Sequence, residues 1–363
     1  MTHTFTTPIP TQWIGPLKIN CHQSPQASHE FEEVFVPLAT YESPLWPSTQ
    51  RGARITHKAG GIITTVLGHS MTRSIYLKGL DARSLSLHRK VLLNPQTLET
   101  LQQITHSTSR FAQLMKIHDE IVGDLWFIRF QFETGDASGH NMATKAAQAL
   151  LEYLLTQFSD LQYGSISGNL CTDKKNSAIN GILGRGHHVI AEVNLQASLC
   201  QKYLKATPEA LAQLNLEKNW VGSVLSGGVR TANAHFANAL LAIYLATGQD
   251  AANIVEGSQG FTLTRVLQDG SLYFSVSLPH LIIGTVGNGK HHPEIQQALE
   301  KMGCAGSKSP GENTARLASI IAAAVLCSEL SLLAAQTNPG ELVRSHLALE
   351  RASSHKEPSH VTP

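Results

Sequence analysis

A long apolar segment near the C-terminus limits the possible folds more than any other part of this chain. It reads PGENTARLASIIAAAVLCSELSLLAAQ and occupies residues 310–336. Pro310-Gly311 before it and Pro339-Gly340 after it are helix-boundary signals, so we predict one long helix over 311–335. Four residues interrupt the apolar run and argue against a membrane span: Ser319, Ser328, Glu329 and Ser331. We therefore expect a buried central helix with the rest of the fold around it.

The composition indicates a compact globular protein without a strong electrostatic field. The chain has 363 residues, of which 42% are hydrophobic and 15% charged, so it can bury a large core. A net charge of +1 gives no general attraction for nucleic acid or an anionic membrane, and we expect neither partner. Five scattered cysteines without a CxxC pair, together with an N-terminus that lacks a signal-peptide core, favour a soluble cytoplasmic protein.

Hydrophobic periodicity predicts both strands and helices in the rest of the chain. The strand candidates include EEVFVPL, GGIITTVLG, LWFIRFQF and GRGHHVIAEVNL, with a pair of strands around the Asp269-Gly270 turn. The helix candidates cover 95–120, the segment after Asn141, and 234–250. This mixture indicates an α+β protein.

The segment TGDASGHNMATK, at residues 134–145, places a glycine turn between a strand and a helix. The free N–H groups and the positive dipole end of such a helix favour phosphate. The pattern is not GxGxxG and no βαβ unit surrounds it, so a Rossmann site is not supported. Taken alone, the turn is explained more simply as a tight connection.

Two lysines, Lys174 and Lys175, follow Asp173 in an otherwise uncharged segment. A lysine in a dry, glycine-bordered segment can stabilise a developing oxyanion. Lysines are rarely buried, however, so a solvated pair is the simpler interpretation of this segment alone. Asp250 ends the predicted helix 234–250, where the negative end of the helix dipole disfavours a carboxylate. That position indicates either a functional demand or a loop.

The histidine pairs His187-His188 and His291-His292 raise the question of a metal site. Adjacent histidines on a strand point to opposite faces, and no HExxH spacing accompanies them. We expect no metal ligands, and a metal-dependent hydrolase is a distant alternative.

Six segments, in this order along the chain, carry a resemblance to a known family: TGDASGHNM, SGNLCTDKKNSAINGILGRG, GQDAANIVEGS, IIGTVGNGK, SPGENTARLASIIAAAVLCSELSLLAAQ and LVRSHL. Together they resemble 3-hydroxy-3-methylglutaryl-CoA (HMG-CoA) reductases, and their sequences are most similar to those of the class I branch. The resemblance covers residues 13–351. It implies a four-electron reduction of HMG-CoA to mevalonate and CoA, with NADPH (NADP+) as the cofactor.

The resemblance also implies four catalytic residues. Lys174 matches the lysine that stabilises the oxygen anion of the thioester and of the later aldehyde. Asp250 matches the aspartate that is hydrogen-bonded near this lysine. Glu42 matches the proton donor to the carbonyl oxygen, and His346 matches the histidine that protonates the departing CoA thiolate.

Further residues are implied as binding residues. The substrate set comprises Arg73, Ser167, Asn169, Asp173, Lys175, Lys218 and Asn238. The cofactor set comprises Asp136, Ser138, Gly139, His140, Asn141, Met142, Gly287 and Gly289. Ser109 and Arg110 match residues at the ribose 2′-phosphate, which favours NADPH over NADH.

The implied fold is a large α+β domain around a long central helix, with an inserted small ferredoxin-like, NADP-binding domain. The expected boundaries are 1–73 and 166–340 for the large domain, 74–165 for the insert, and 341–363 for a C-terminal flap and disordered tail. The resemblance further implies a homodimer, or a dimer of dimers, with shared active sites. Pro44 and Pro47 beside Glu42 motivate an alternative, a weakened homologue that binds CoA ligands without efficient turnover.

Overall fold

The computed structural model describes residues 7–22, 30–341, 343, 344 and 347. Its strands are β1 (Thr11–His22), β2 (Glu32–Ala39), β3 (Ile62–Lys78), β4 (Gln113–Val122), β5 (Leu125–Glu133), β6 (Gln162–Ser165), β7 (Gly186–Leu195), β8 (Thr231–Ala232), β9 (Gly260–Val266) and β10 (Leu272–Leu281). Its α-helices are α1 (Leu45–Lys58), α2 (Ala82–Leu92), α3 (Pro95–Thr108), α4 (His140–Gln157), α5 (Ile179–Leu183), α6 (Ala197–Leu199), α7 (Pro208–Leu214), α8 (Ser223–Leu225), α9 (Phe236–Ala246), α10 (Ile254–Gly257), α11 (Pro293–Lys301) and α12 (Glu312–Thr337). Two π-helical segments, Cys200–Leu204 and Asn215–Gly222, and a 3₁₀ turn, Ala251–Asn253, complete the described elements.

The predicted central helix is confirmed as α12, Glu312–Thr337. It is long and apolar enough to cross a membrane, but 94% of its most apolar stretch is buried inside the fold. Three of its four interrupting polar residues have partners: Glu329 accepts hydrogen bonds from the N–H groups of Ala234 and His235, Ser331 accepts one from Arg51, and the Ser328 hydroxyl lies 3.2 Å from Nε2 of His235. Buried polar groups are tolerated when they are paired in this way.

The main sheet packs against α12 in the strand order β2-β1-β3-β7-β10-β9-β8. Helix α1 crosses α12 closely at Gly52, where an added Cβ would lie 2.0 Å from the Cys327 carbonyl oxygen. Strands β9 and β10 pair antiparallel around the Asp269-Gly270 turn, as predicted. The α+β fold class is therefore confirmed.

A second hydrophobic cluster, separate from the one around α12, lies around β3, β4, β5 and α4, with Trp126, Phe130 and Leu150 fully buried in it. The element order β3-α2-α3-β4-β5-α4-β6, with β3 between β5 and β6, is that of a ferredoxin-like unit. Strand β3 is long enough to pair with β7 in the main sheet and with β5 in this unit. The domain boundaries at 73/74 and 165/166 stay predictions.

The predicted helix 95–120 is wrong in its second half. Helix α3 ends at Thr108, Ser109 is extended with φ of −165°, and 113–122 form strand β4 paired with β5. The pairing register shifts between Leu114 and Lys116, which marks an irregularity in the ladder. An extra residue at such a position breaks the alternation of period two, so the apolar spacing imitates a helix.

Candidate active site

The loop that follows β6 carries both lysines in an unusual backbone conformation. Three of its residues other than glycine have positive φ: Asn169 (58°), Thr172 (46°) and Lys174 (53°). The buried guanidinium of Arg129, on β5, donates to the carbonyl oxygens of Leu170 and Gly184 at 2.9 and 2.7 Å. Such strain persists only where the surroundings over-determine the backbone, and it concentrates at functional sites.

Lys174 forms an ion pair with Asp250, with 2.7 Å between Nζ and Oδ2. The hydrogen bond to Asp250 raises the pKa of Lys174. Burial would raise the pKa of Asp250, but the lysine ammonium and the Ala252 N–H outweigh it and hold that pKa below its ordinary value. Both side chains remain partly open to solvent, so the ammonium is charged and accessible to a ligand.

Asp250 does not oppose a helix dipole, contrary to the expectation from its sequence position. Helix α9 already ends at Ala246, and Asp250 is the N-cap of the 3₁₀ turn Ala251–Asn253. Its Oδ1 accepts a hydrogen bond from the Ala252 N–H at 3.1 Å. A carboxylate is favoured at this position, because it satisfies a free donor at a positive dipole end.

Asp173 connects the lysine loop to the start of helix α4. Its Oδ1 lies 3.4 Å from Nε2 of His140 and 2.5 Å from Nη2 of Arg185, a guanidinium that is 1% exposed. Burial would raise the pKa of Asp173, but His140, Arg185 and Lys174 together hold it well below its ordinary value. A predicted cofactor residue and a predicted substrate residue are thus in contact.

Replacing Asp173 with asparagine should destabilise the protein in a pH-dependent way. The folded-state pKa lies below the unfolded value of about 3.9, so this stabilisation is present above that pH and is lost as the pH falls further. At pH 7 the variant leaves buried Arg185 with Glu256 as its remaining carboxylate partner, 3.7 Å away, and loses the shorter ion pair, which costs roughly 3 kcal/mol in the free energy of unfolding. Urea unfolding of both proteins at pH 7 and pH 3 tests this, and an equal gap at both values would contradict it.

Two glycine turns meet beside the Lys174–Asp250 pair. The Asp136 carbonyl oxygen accepts from the Thr285 N–H at 2.9 Å, and a Cβ on Gly284 would lie 2.5 Å from the Ser138 nitrogen. Gly139 has a φ of 89° and starts α4 without a side-chain cap. These contacts join the turn of 134–139 to the segment 284–289.

The second turn also contacts the segment that leads into Asp250. Gly287 and Gly289 have φ of 94° and 83°, and a Cβ on Gly289 would lie 2.6 Å from the Gly248 carbonyl oxygen. Lys290 donates to that same oxygen at 2.5 Å, and burial lowers its pKa to about 8. The cofactor residues predicted from the two turns therefore border the predicted catalytic pair.

Asp136 has an additional structural contact. Its Oδ1 accepts from the N–H of Thr314, in the first turn of α12, at 3.1 Å. The carboxylate therefore caps the central helix from a distant part of the chain. Asp136 couples the first glycine turn to the core.

A cavity of 570 Å³ opens beside α4 and the end of α3. Asn141, Lys145 and Thr108 line it, and the Lys145 ammonium donates to the Thr108 carbonyl oxygen at 3.0 Å. Ser109 and Arg110 follow directly, and the Arg110 guanidinium lies over the Phe111 ring, 4.6 Å from its centroid. Arg110 is exposed and follows the cavity-lining Thr108 by two residues, and a guanidinium is suited to a phosphate.

Glu42 forms a second pair with Asn238, whose Nδ2 donates to Oε2 at 2.8 Å. Pro44 and Pro47 fall at the N-cap and in the first turn of α1, where a missing N–H costs no helical hydrogen bond. The prolines therefore fit the start of α1 and cost it no hydrogen bond. Within the described ranges, no hydrogen bond or ion pair joins the Glu42–Asn238 pair to the Lys174–Asp250 pair.

The other predicted substrate residues have local partners. Arg73 donates to the Ile166 carbonyl oxygen, the Ser167 N–H donates to Ser165, and Lys175 donates to the Asp173 carbonyl oxygen. Lys218 donates to Asn219, and burial lowers its pKa despite the nearby Glu329. Met142, predicted as a cofactor residue, lies in the first turn of α4, and His346 lies outside the described residues.

Among the residues that the structure describes, no group of three or more His, Cys, Asp or Glu side chains could hold a metal ion. Sequence reasoning missed three buried charged residues near the pair: Arg185, Glu256 and Lys290. The sequence gives only a weak signal for them, because each is a charged residue that stands directly beside a glycine and has no charged residue next to it.

Comparisons with known proteins agree with this geometry. Residues 4–351 match the family model described as hydroxymethylglutaryl-coenzyme A reductase. The chain is 44% identical to 3-hydroxy-3-methylglutaryl-coenzyme A reductase of Pyrococcus horikoshii, over 94% of this chain and 81% of that protein. It is 40% identical to reductase 1 of Arabidopsis thaliana, over 95% of this chain and 57% of that protein. The class II reductase of Streptococcus pneumoniae, solved with NADPH, superposes with a TM-score of 0.71 at 17% identity, covering 92% and 86% of the two chains, which shows a shared fold.

Proposed function

The chain belongs to the hydroxymethylglutaryl-coenzyme A reductase family, and we infer that it reduces HMG-CoA to mevalonate and CoA with two hydrides from NADPH. The observation that carries this proposal is the 2.7 Å ion pair of Lys174 and Asp250 beside two glycine turns. A charged, accessible ammonium at that position suits a reaction that builds negative charge on a carbonyl oxygen.

Lys174 and Asp250 act on the substrate oxygen. Each reduction step turns a carbonyl oxygen into an oxyanion, which the Lys174 ammonium stabilises. Asp250 keeps Lys174 protonated, because the ion pair raises the lysine pKa. Asp250, fixed by the Ala252 N–H, also holds the ammonium in one direction.

Two further groups supply protons. Glu42, hydrogen-bonded to Asn238, is the proposed donor to the carbonyl oxygen. The CoA thiolate is a good nucleophile that would re-attack the aldehyde, so it must be protonated as it leaves. His346 is the proposed donor for that step, since histidine titrates near neutral pH.

The residues around the glycine turns fit NADPH, which supplies the hydrides when bound. The N-terminus of the long helix α4 has no side-chain cap, and a Cβ on Gly287 would meet nothing within 4 Å. Free N–H groups at such a terminus bind phosphate, and an open glycine turn lets a ligand approach the backbone. His140, Asn141 and Met142 follow in that first turn.

Arg110 is proposed to select NADPH over NADH through the 2′-phosphate. Parallel assays of HMG-CoA-dependent NADPH and NADH oxidation test both the reaction and this role. In Arg110→Ala we expect the KM for NADPH to rise about tenfold or more, because a charge-assisted phosphate contact is lost, while the KM for NADH stays the same. Absence of turnover in the folded wild type would contradict the reductase function and favour the weakened homologue. An unchanged NADPH KM would contradict only the role of Arg110.

A homodimer, or a dimer of dimers, with shared active sites is also proposed. Glu42 is exposed, and the described part of the chain does not bring it into contact with Lys174 or Asp250. Apolar side chains next to Lys218 are exposed as well: Leu216 by 54%, Val224 by 76% and Leu225 by 82%. A second subunit that covers these apolar side chains would bring its own Glu42–Asn238 pair to the Lys174–Asp250 pair of the first subunit.

A cytoplasmic location is proposed as well. The five cysteines all lie within the described residues and are free thiols, which supports a reducing compartment.

A further inference from the structure

A buried network of charged residues lies behind the lysine loop, and the proposed reaction does not use it. Glu256, in α10, is 0% exposed, and Arg185, directly before β7, is 1% exposed. The Arg185 Nε lies 3.7 Å from Oε1 of Glu256, and its Nη1 donates to the carbonyl oxygen and Oγ1 of Thr72 at 2.9 and 2.8 Å. Burying two ions is costly, so their retention calls for a reason beyond packing.

Glu256 contacts the backbone of the catalytic lysine itself. Its Oε1 accepts from the Lys174 N–H at 3.1 Å and from Asn253 Nδ2 at 2.8 Å. Lys174 has a φ of 53°, a conformation that an L-residue other than asparagine or aspartate rarely adopts. An acceptor that fixes this N–H therefore selects the backbone conformation from which the ammonium reaches Asp250.

Asn253 and Asp250 belong to the same short segment, which ties the two sides of the pair together. Asp250 caps the 3₁₀ turn that contains Asn253, and Glu256 lies in the helical turn that follows. Glu256 therefore receives donors from both segments that form the ion pair. Arg185 extends the network to Asp173, the residue before Lys174.

We propose that Glu256 is a positioning residue that locks Lys174 in its left-handed conformation and sets the distance between its ammonium and Asp250. Arg185 is the buried counter-charge that keeps Glu256 in place. Burial raises the pKa of Glu256 even though Arg185 opposes that rise, in keeping with a carboxyl group enclosed behind the site. The inference rests on the proposed function for its catalytic consequence, but the locking of the loop is independent of it.

The test compares Glu256→Ala with Glu256→Gln. Alanine removes the acceptor, and we expect kcat to fall about 100-fold, since a misplacement of about 1 Å at the reacting centre has effects of that size. Glutamine keeps an acceptor for the Lys174 N–H and should recover most of the loss. We expect little change in the KM for NADPH, because neither substitution alters the cavity beside α4. Glu192→Ala, which removes a carboxylate bonded to Tyr273 elsewhere on the main sheet, is the matched control.

Hydrogen–deuterium exchange of the peptide that contains Lys174 provides a readout that does not need turnover. The amide should exchange faster in Glu256→Ala than in wild type, Glu256→Gln or Glu192→Ala. Unchanged exchange, or a kcat within about threefold of the control, would overturn the proposal even if the wild type is fully active. If the wild-type protein showed no turnover, that result would contradict the reductase function. The exchange rates of the Lys174 amide would still test whether Glu256 positions the loop. Should Glu256→Ala not fold, Asn253→Ala loosens the same carboxylate, and the same faster exchange is required of it.

Discussion

Lys174→Ala should lose at least about 1,000-fold in kcat for HMG-CoA-dependent NADPH oxidation, while the protein stays folded. Among the described residues, Lys174 is the cation that forms an ion pair with Asp250, and alanine removes the ammonium that would face the developing oxyanion. Alanine keeps a Cβ, so the left-handed backbone at this position is neither relieved nor further strained. Because Asp250 is 44% exposed, leaving it unpaired should change the free energy of unfolding by no more than about 1 kcal/mol.

Alanine variants of two other lysines show whether the loss of activity is specific to Lys174. Lys175→Ala removes an ammonium that donates to the Asp173 carbonyl oxygen, and we expect a change in the KM for HMG-CoA with kcat largely kept. Lys202→Ala removes an exposed ammonium beside Tyr203 and should match wild type. Circular dichroism and thermal unfolding establish that each variant is folded. Turnover of folded Lys174→Ala at near wild-type rates would remove Lys174 from the mechanism.

The sequence predicted the elements whose signals are local. The long apolar helix, the strand before the glycine turn and the hairpin at Asp269-Gly270 each follow from periodicity or turn chemistry, and the structure confirms them. The helix over 95–120 failed where a strand irregularity near Leu114 imitated helical spacing. Asp250 was misjudged because its cap partner, the Ala252 N–H, belongs to a 3₁₀ turn that has no clear sequence signature.

The site shows the limit of local patterns more sharply. Lys174 and Asp250 are far apart in sequence, and only the resemblance to a family suggested that they pair. Arg185 and Glu256 were missed because their role lies in tertiary contacts with a backbone N–H and with Asp173. Periodicity reports which face of an element is buried, and it carries no information on which distant groups meet there.

Glu42→Gln should lower kcat by roughly 100-fold, the usual contribution of a single general acid. Glutamine still accepts the hydrogen bond from Asn238, so the position of the side chain is retained and only its proton is lost. Glu33→Gln, on an exposed carboxylate that contacts His57, is the matched control and should behave as wild type. The same NADPH oxidation assay measures all three proteins. A fully active Glu42→Gln protein would assign the proton to another donor.

Mixing the Glu42→Gln protein with the Lys174→Ala protein tests whether each active site is built from residues of two subunits. In a shared site, one subunit supplies Lys174 and Asp250 while the other supplies Glu42 and Asn238. A mixed dimer of the two variants then carries one site with both defects and one intact site. Unfolding and refolding equal amounts together should restore about a quarter of wild-type activity, since half of the dimers are mixed and each has one working site. Sites built within one chain would give no restoration, because every chain in the mixture carries a defect.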